Sequence, residues 1–441
     1  MKRKMMEKLV AWAESGARKP LILQGARQIG KTYLLQELGK THFEGLAYVN
    51  FEQNVRARQI FEGSLVPEIL LQNLSAELSM SITPRTLLFF DEIQSCKQAL
   101  TSLKYFCEQA PEIPVVAAGS LLGVSVRPGD AGFPVGKVTI ETLHPMDFEE
   151  FLWTCGRERQ AALVRDFLRT GAFPSFLHEE LIRLYRHYLV VGGMPEAVLT
   201  YLDRAEAPDW SAVRTVQMNL QLGALADMTR YASATEARRI QACYQSLPNQ
   251  LAKPNQKFQY CVVEKGASSR RCEYALEWLV QAGLITLCNR LPRVESPLVA
   301  QAEPEAFKAF HMDVGLFAAM AGFRPNDIVA ATPGQAFGGL TETYVAEALT
   351  ANGVRAFYWE SEGKAEVDFV YDGPRTPVAV EVKRGQHVRS KSLDVLRQRT
   401  PQLQAVRLSE KPFGHTPDLL SLPLYAAFLL GAEFVVPGVQ G

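Results

Sequence analysis

With 441 residues the chain exceeds what one ordinary core holds, and two to four domains are expected. Apolar residues at 47% and charged residues at 21% exclude a disordered or membrane-embedded chain. Lys plus Arg balance Asp plus Glu at 47 against 47, which excludes an overall field drawing the protein toward nucleic acid or anionic lipid and leaves only local patches to do so.

The opening stretch, MKRKMMEKLVAWAESG, carries charges through its would-be apolar region, so it reads as an amphipathic helix and not as a signal peptide. Residues 20 to 120 alternate apolar strands (PLILQG, LAYVNFE, TLLFFDE, PVVAAGS) with helical stretches (KTYLLQELG, PEILLQNLSAEL, QALTSLKYFCEQ), the signature of a parallel sheet covered on both faces. FPVGKVTIETL reads as a short β excursion, and DFEEFLW begins a helical region running to about residue 247, punctuated by the Gly-Gly-x-Pro of GGMPEAV with Pro195 in a first turn. Residues 234 to 291 read as helix, turn, helix and an apolar strand pair, the outline of a winged helix. After the Gly- and Pro-rich ATPGQAFGGL a small α/β piece follows, and LPLYAAFLLGAEFVVPG, broken by Glu433 and flanked by prolines, reads as buried structure and not as a membrane span. The expected domains are 1–146, 147–233, 234–330 and 331–441. The seven cysteines are scattered without a C-x-x-C pair, which points to reduced thiols in a cytoplasmic protein.

Gly25, Ala26, Arg27, Gln28, Ile29, Gly30, Lys31 and Thr32 fit G-x-x-x-x-G-K-[ST], directly after one apolar strand and directly before a helix. Phosphate binding needs that placement: glycines let backbone N–H groups wrap the anion while the helix N-terminus offers its unpaired donors. Lys31 is expected to reach the β and γ phosphates of ATP, and Thr32 to coordinate Mg²⁺. In TLLFFDEIQ the adjacent carboxylates of Asp91 and Glu92 emerge from a strand taken to neighbour the first. Asp91 would hold the Mg²⁺ shell and Glu92 would orient the attacking water, against the alternative that the pair merely caps the next helix. Ser120 ends PVVAAGS and is expected to hydrogen-bond the γ-phosphate or the water beside it. The absence of an N-K-x-D stretch favours ATP over GTP. Arg127 and Arg230 are the candidates for a charge-completing arginine.

GKAEVDFVYDGPRTPVAVEVKRG raises a second question. Alternation puts Glu366, Asp368 and Val370 on one face, and Ala379, Glu381 and Lys383 on one face of the partner strand. If Asp368 lies opposite Glu381, then Val370 meets Ala379 and Asp372 meets Pro377, and two like charges come within a few ångströms unless a cation sits between them. The alternatives are a divalent-metal site with Lys383 positioning a water, or a solvated polar face on which Lys383 neutralises Glu381.

Asp368 with Glu381-Val-Lys383 resembles the PD-(D/E)xK nuclease fold, whose first acidic position would match Glu342. Here Glu366 stands two residues before Asp368 in place of a Pro-Asp pair. With GARQIGKT, LLFFDEIQ, the GS after PVVAA, FPVGKV with LHPMDFEEFL, GGMPEAV and MDVGLFAAM added, nearly the full length resembles bacterial and archaeal AAA-superfamily ATP-binding proteins that carry a C-terminal domain of unknown function ending in a nuclease-like module. The resemblance implies an α/β fold: a P-loop NTPase parallel sheet, then a helical and winged-helix-like middle, then a small α/β nuclease-like domain. It also implies ATP with Mg²⁺ as cofactors and DNA or another protein as candidate partners. Three functions compete: an ATP-driven switch or motor, an ATP-gated Mg²⁺-dependent DNA nuclease, and a non-hydrolysing scaffold that ATP stabilises. Arg270 and Arg271, and the group Arg384, Arg389, Lys391 and Arg397, are the basic residues that would meet DNA.

Overall fold

In a computed structural model the chain is described over residues 1–120, 133–253, 256–332, 334, 337–361, 365–383 and 391–435, and it divides into two units, Met1–His144 with Gln281–Gly283 and Pro145–Val280 with Leu284–Gly441. Among the described residues no helix is long and apolar enough to cross a membrane.

In the first unit β1 (Leu21–Gln24), β2 (Gly45–Asn50), β3 (Thr86–Asp91), β4 (Val115–Gly119) and β5 (Thr139–Thr142) form a wholly parallel sheet in the order β2-β3-β4-β1-β5. Strands β3 and β4 are buried at every position, as their unbroken apolar runs require once both faces are covered. One face packs Val49, Leu88, Phe90 and Ala117 against Phe61, Leu74, Leu103 and Phe106 of helices Val55–Glu62, Pro67–Leu78 and Lys97–Gln109. The helix Val55–Glu62, absent from the sequence reading, starts where Asn54 accepts from the Ala57 amide at 2.9 Å. β5 is the expected excursion, recruited as the outer neighbour of β1.

The acid-bearing strand does not neighbour the P-loop strand as expected: β4 lies between β1 and β3. Every link between parallel strands is a crossover, so order along the chain leaves order across the sheet open.

The second unit holds helices Phe148–Thr154, Leu177–Val191, Trp210–Arg230, Ala234–Leu251, Ser269–Gln281 and Phe337–Ala351. With them goes a mixed sheet of β6 (Ile285–Leu291), β7 (Glu303–His311), β8 (Phe357–Ser361), β9 (Ala365–Asp372), β10 (Pro377–Val382), β11 (Gln404–Ser409), β12 (Gly414–Thr416) and β13 (Leu419–Pro423), ordered β12-β13-β11-β10-β9-β8-β6-β7. The three segments expected after residue 146 therefore share one unit. Within residues 234–291 two main helices are followed by a single strand, β6, and not by the expected strand pair; its hairpin partner β7 lies beyond, and β6 also pairs in parallel with β8, so the hairpin is part of the large sheet.

Three family-like stretches whose chemistry the sequence left open meet in this unit. Met146 N donates to Gly193 O at 2.8 Å, Asp147 caps helix Phe148–Thr154 in a box with Glu150, and Gly193 N donates to Asp313 Oδ2 at 2.6 Å. A Cβ on Gly193 would stand 1.9 Å from Met146 O, and one on Gly315 2.4 Å from the Val191 carbonyl. These glycines serve close backbone approach. Gly193→Ala is expected to lower stability by about 3 kcal/mol, measured by chemical denaturation.

Candidate functional site

Three residues of the loop between β1 and helix Lys31–His42 have positive φ: Gly25 at 141°, Gln28 at 63° and Gly30 at 96°. At Gly25 a Cβ would lie 2.3 Å from Leu143 O, so glycine is required twice over, by conformation and by space. Gln28 holds the left-handed region without being glycine, the kind of strain that collects at ligand clamps. Ala26 and Ile29 are buried and turn the loop inward. Arg3, itself buried, donates to Ile29 O at 3.0 Å and to His144 O at 2.6 Å. The N-terminal segment thus fixes the loop, a role its basic composition did not reveal. Burial, with Arg3 adding, lowers the His144 pKa to about 4.

Lys31 folds back on its own loop, its Nζ donating to Ala26 O at 2.6 Å and Gly25 O at 3.0 Å. Burial brings its pKa down to about 8, opposed by Glu92 and Asp91. Thr32 Oγ1 lies 3.1 Å from Asp91 Oδ2 and 3.3 Å from Oδ1, so the two expected magnesium ligands do come together across the sheet. Asp91 also accepts from the Glu92 amide at 3.1 Å and from the Tyr48 hydroxyl at 2.8 Å. Burial raises the Asp91 pKa, and the hydrogen bond from Tyr48 works against that rise. Tyr48 went unassigned because it is one aromatic in the apolar run of β2. Pairing with β3 (Tyr48↔Phe89) carries its hydroxyl to Asp91.

Glu92 sits in the left-handed region at φ 50°, and Gln94 Nε2 donates to its Oε2. Ser120, 1% exposed, donates to the same Glu92 oxygen at 3.3 Å and accepts from Arg27 Nε at 3.3 Å. Because β4 lies between β1 and β3, the serine at its end is placed between loop and acid. Thr32, Asp91, Glu92 and Ser120 thus form one hydrogen-bonded group with Arg27 at its edge, while Lys31 is held by the loop carbonyls. Thr32 and Asp91 are hard oxygen donors side by side, the set that suits Mg²⁺. Arg127 lies outside the described residues. Arg230 ends a helix of the second unit, its guanidinium 5.3 Å from the Tyr231 ring centre.

In the second unit the hairpin pairs in the expected register, Asp372↔Pro377, Tyr371↔Val378, Val370↔Ala379 and Phe369↔Val380. Beyond it the Asp368 carboxylate takes the Val382 amide at 2.7 Å. The polar face is only partly solvated: Glu381 is 2% exposed and Asp368 is half-buried. Lys383 does reach Glu381, at 2.7 Å. Glu342 lies in the same cluster, but its charged partner is Lys308 of β7 at 3.1 Å, a residue the sequence reading passed over. Lys308 also meets Glu366 at 2.6 Å. Of the basic residues proposed for DNA, Arg270 and Arg271 are exposed on helix Ser269–Gln281. Arg397 pairs with Asp418 at 2.7 Å, Lys391 is exposed, and Arg384 and Arg389 lie outside the described residues.

Residues 17–152 match the family described as AAA domain, residues 182–327 a domain of unknown function (DUF8612), and residues 337–422 another (DUF4143). Comparison with curated proteins gives no match. Among solved structures the chain is similar to a Walker-type ATPase of Pyrococcus abyssi, 16% identical over 72% of this chain and 95% of that one, with a TM-score of 0.44. It is similar also to the ORC2 protein of Aeropyrum pernix in ADPNP–ADP complexes, 13% identical over 74% and 92%, TM-score 0.36. A further likeness is to DnaA of Aquifex aeolicus with AMPPCP bound, 12% identical over 62% and 86%, TM-score 0.28. At those scores none of them bears on function. The parallel five-stranded sheet with a phosphate loop after β1 is the fold of a P-loop NTPase, and residues 17–152 match an AAA domain.

Proposed function

We propose that the chain is a Mg²⁺-dependent, ATP-driven switch, in which the first unit binds and hydrolyses ATP and the second carries the output. The observation supporting this reading best is the approach of Thr32 Oγ1 to Asp91 at 3.1 Å beside a lysine whose ammonium donates to loop carbonyls. Triphosphate oxygens are stronger acceptors for that ammonium than neutral carbonyls, and the loop amides offer them further donors. Magnesium held by Thr32 and Asp91 would supply charge neutralisation at the β and γ phosphates. Glu92 then orients water and takes its proton, Ser120 fixes the Glu92 carboxylate through their 3.3 Å contact, and Arg27 brings positive charge to the same chain of groups.

Glu92→Gln keeps the shape and removes the proton acceptor. Turnover of ATP should fall by about 10²-fold or more with nucleotide binding retained, measured as phosphate release alongside binding of a fluorescent ATP analogue. The same assay run with single- and double-stranded DNA tests whether Arg270 and Arg271 lead to nucleic acid. Stimulation that declines steeply with salt supports DNA as partner. ATP binding with turnover no faster than a protein-free control would replace the switch by the scaffold.

A further inference from the structure

The acidic cluster of the second unit joins four carboxylates from three elements: Glu342 of helix Phe337–Ala351, Glu366 and Asp368 of β9, and Glu381 of β10. In water such groups repel one another modestly, but in a buried site uncompensated carboxylates do not stay charged together. Something must hold them, and the question is which cation. Lys308 enters from β7, opposite Cys288 of β6, with a side chain 1% exposed. Its Nζ lies 2.6 Å from Glu366 and 3.1 Å from Glu342, with the Tyr358 ring centre at 5.4 Å. Desolvation opposes its charge, yet Glu342, Glu366 and Asp368 outweigh that loss, so the ammonium is held charged.

We propose that Lys308 is an internal cation that takes the place of a divalent metal in this cluster, so that the nuclease-like site binds no Mg²⁺ and cleaves no phosphodiester. Magnesium demands an octahedral shell of oxygens with several waters kept, and each carboxylate that would furnish its protein ligands already has at least one oxygen engaged by a protein donor. Glu342 accepts from Gln256 Nε2 at 2.7 Å through one oxygen and meets Lys308 through the other. Asp368 accepts from the Val382 amide. Glu381 holds Lys383 with Oε1, while its Oε2 is buried without a hydrogen-bond partner. Among the described residues no group of three or more metal-ligating side chains is arranged to hold an ion. The phenyl face of Tyr358 suits an ammonium, which attracts the ring without needing a lone pair from it. A buried ion pair of this kind is poor for stability compared with apolar packing but strongly resists loss of one partner, so the lysine is not readily displaced by a metal at millimolar concentration.

The test uses the full-length, nucleotide-free protein and Mn²⁺ as probe, followed by electron paramagnetic resonance. Wild type is expected to show no Mn²⁺ binding that Asp368→Asn removes; any background at the phosphate loop is unaffected by that substitution. Lys308→Met should expose the carboxylates and gain Mn²⁺ affinity by about tenfold or more, dependent on Asp368. Lys308→Met/Glu342→Gln removes one charge of each sign, and provides a folded background should the single variant fail to fold; it is expected to gain Asp368-dependent binding as well. Stoichiometric, Asp368-dependent binding to wild type overturns the proposal, as does a folded Lys308 variant that gains none.

Discussion

Lys31→Ala is expected to reduce ATP turnover by about 10²-fold or more, because the ammonium is the loop's charged donor toward the phosphates. The same substitution should leave the nucleotide-free protein as stable as wild type or slightly more so. Burial sets the Lys31 pKa at about 8, below its ordinary 10.5. The unfolded chain therefore holds this proton more firmly than the folded one between those values, and by linkage the group makes stability rise with pH across that window. Below it, at neutral pH, the desolvated charge works against the nucleotide-free fold, as expected of a group held for a ligand. Phosphate reverses the balance by favouring the charged form. Binding then takes up a proton above pH 8, and ATP affinity should fall by up to about tenfold per pH unit there. Calorimetric titrations from pH 7 to 9.5 check the slope, and thermal melts without nucleotide check the stability. A flat affinity profile, or a variant that turns over ATP like wild type, removes Lys31 from the phosphate site.

The strand-loop-helix form of the phosphate loop is legible because all its information is contiguous: a strand, two glycines whose φ values are positive, a lysine and the start of a helix. The hairpin register was legible for the same reason, since period-two alternation and a four-residue connection leave few pairings. What escaped lies in contacts between distant segments. Tyr48 reaches Asp91 only because β2 pairs with β3, and Ser120 reaches Glu92 only because β4 is inserted beside β1. Lys308 meets Glu342 across 34 positions, and in sequence it is an isolated lysine between Phe307 and Ala309 in an apolar strand. Nothing local marks it as the counter-charge of a helix and a hairpin not yet made. The winged-helix outline places a strand pair before residue 291, whereas β6 finds its partner in β7 at Glu303–His311 and joins β8 on its other side, contacts that no local pattern marks.

Asp313→Ala is expected to cost the second unit about 3–5 kcal/mol, among the largest stability losses available to a single substitution there. Asp313 is 0% exposed, and both its oxygens face amides: Oδ1 accepts from Leu316 at 2.7 Å and Oδ2 from Gly193 at 2.6 Å. Alanine leaves those donors buried and unpaired, each a penalty of about 1–3 kcal/mol. Asn must turn its NH₂ toward one of the two N–H groups, so Asp313→Asn should also destabilise, by a smaller amount. Burial raises the Asp313 pKa to about 6 against the lowering effect of the Leu316, Gly193 and Gly315 amides. The folded state therefore binds this proton more firmly than the unfolded chain, whose value is near 3.8, and the group's contribution to stability declines as pH rises from about 4 to 6. Glu347, whose pKa burial also raises with Asp313 adding to it, reinforces the same slope. Urea denaturation at pH 4.5, 6 and 7.5 should show this decline in wild type and a flatter course in Asp313→Asn. Equal slopes in the two proteins would mean that the Asp313 carboxylate is charged throughout, its amides outweighing burial.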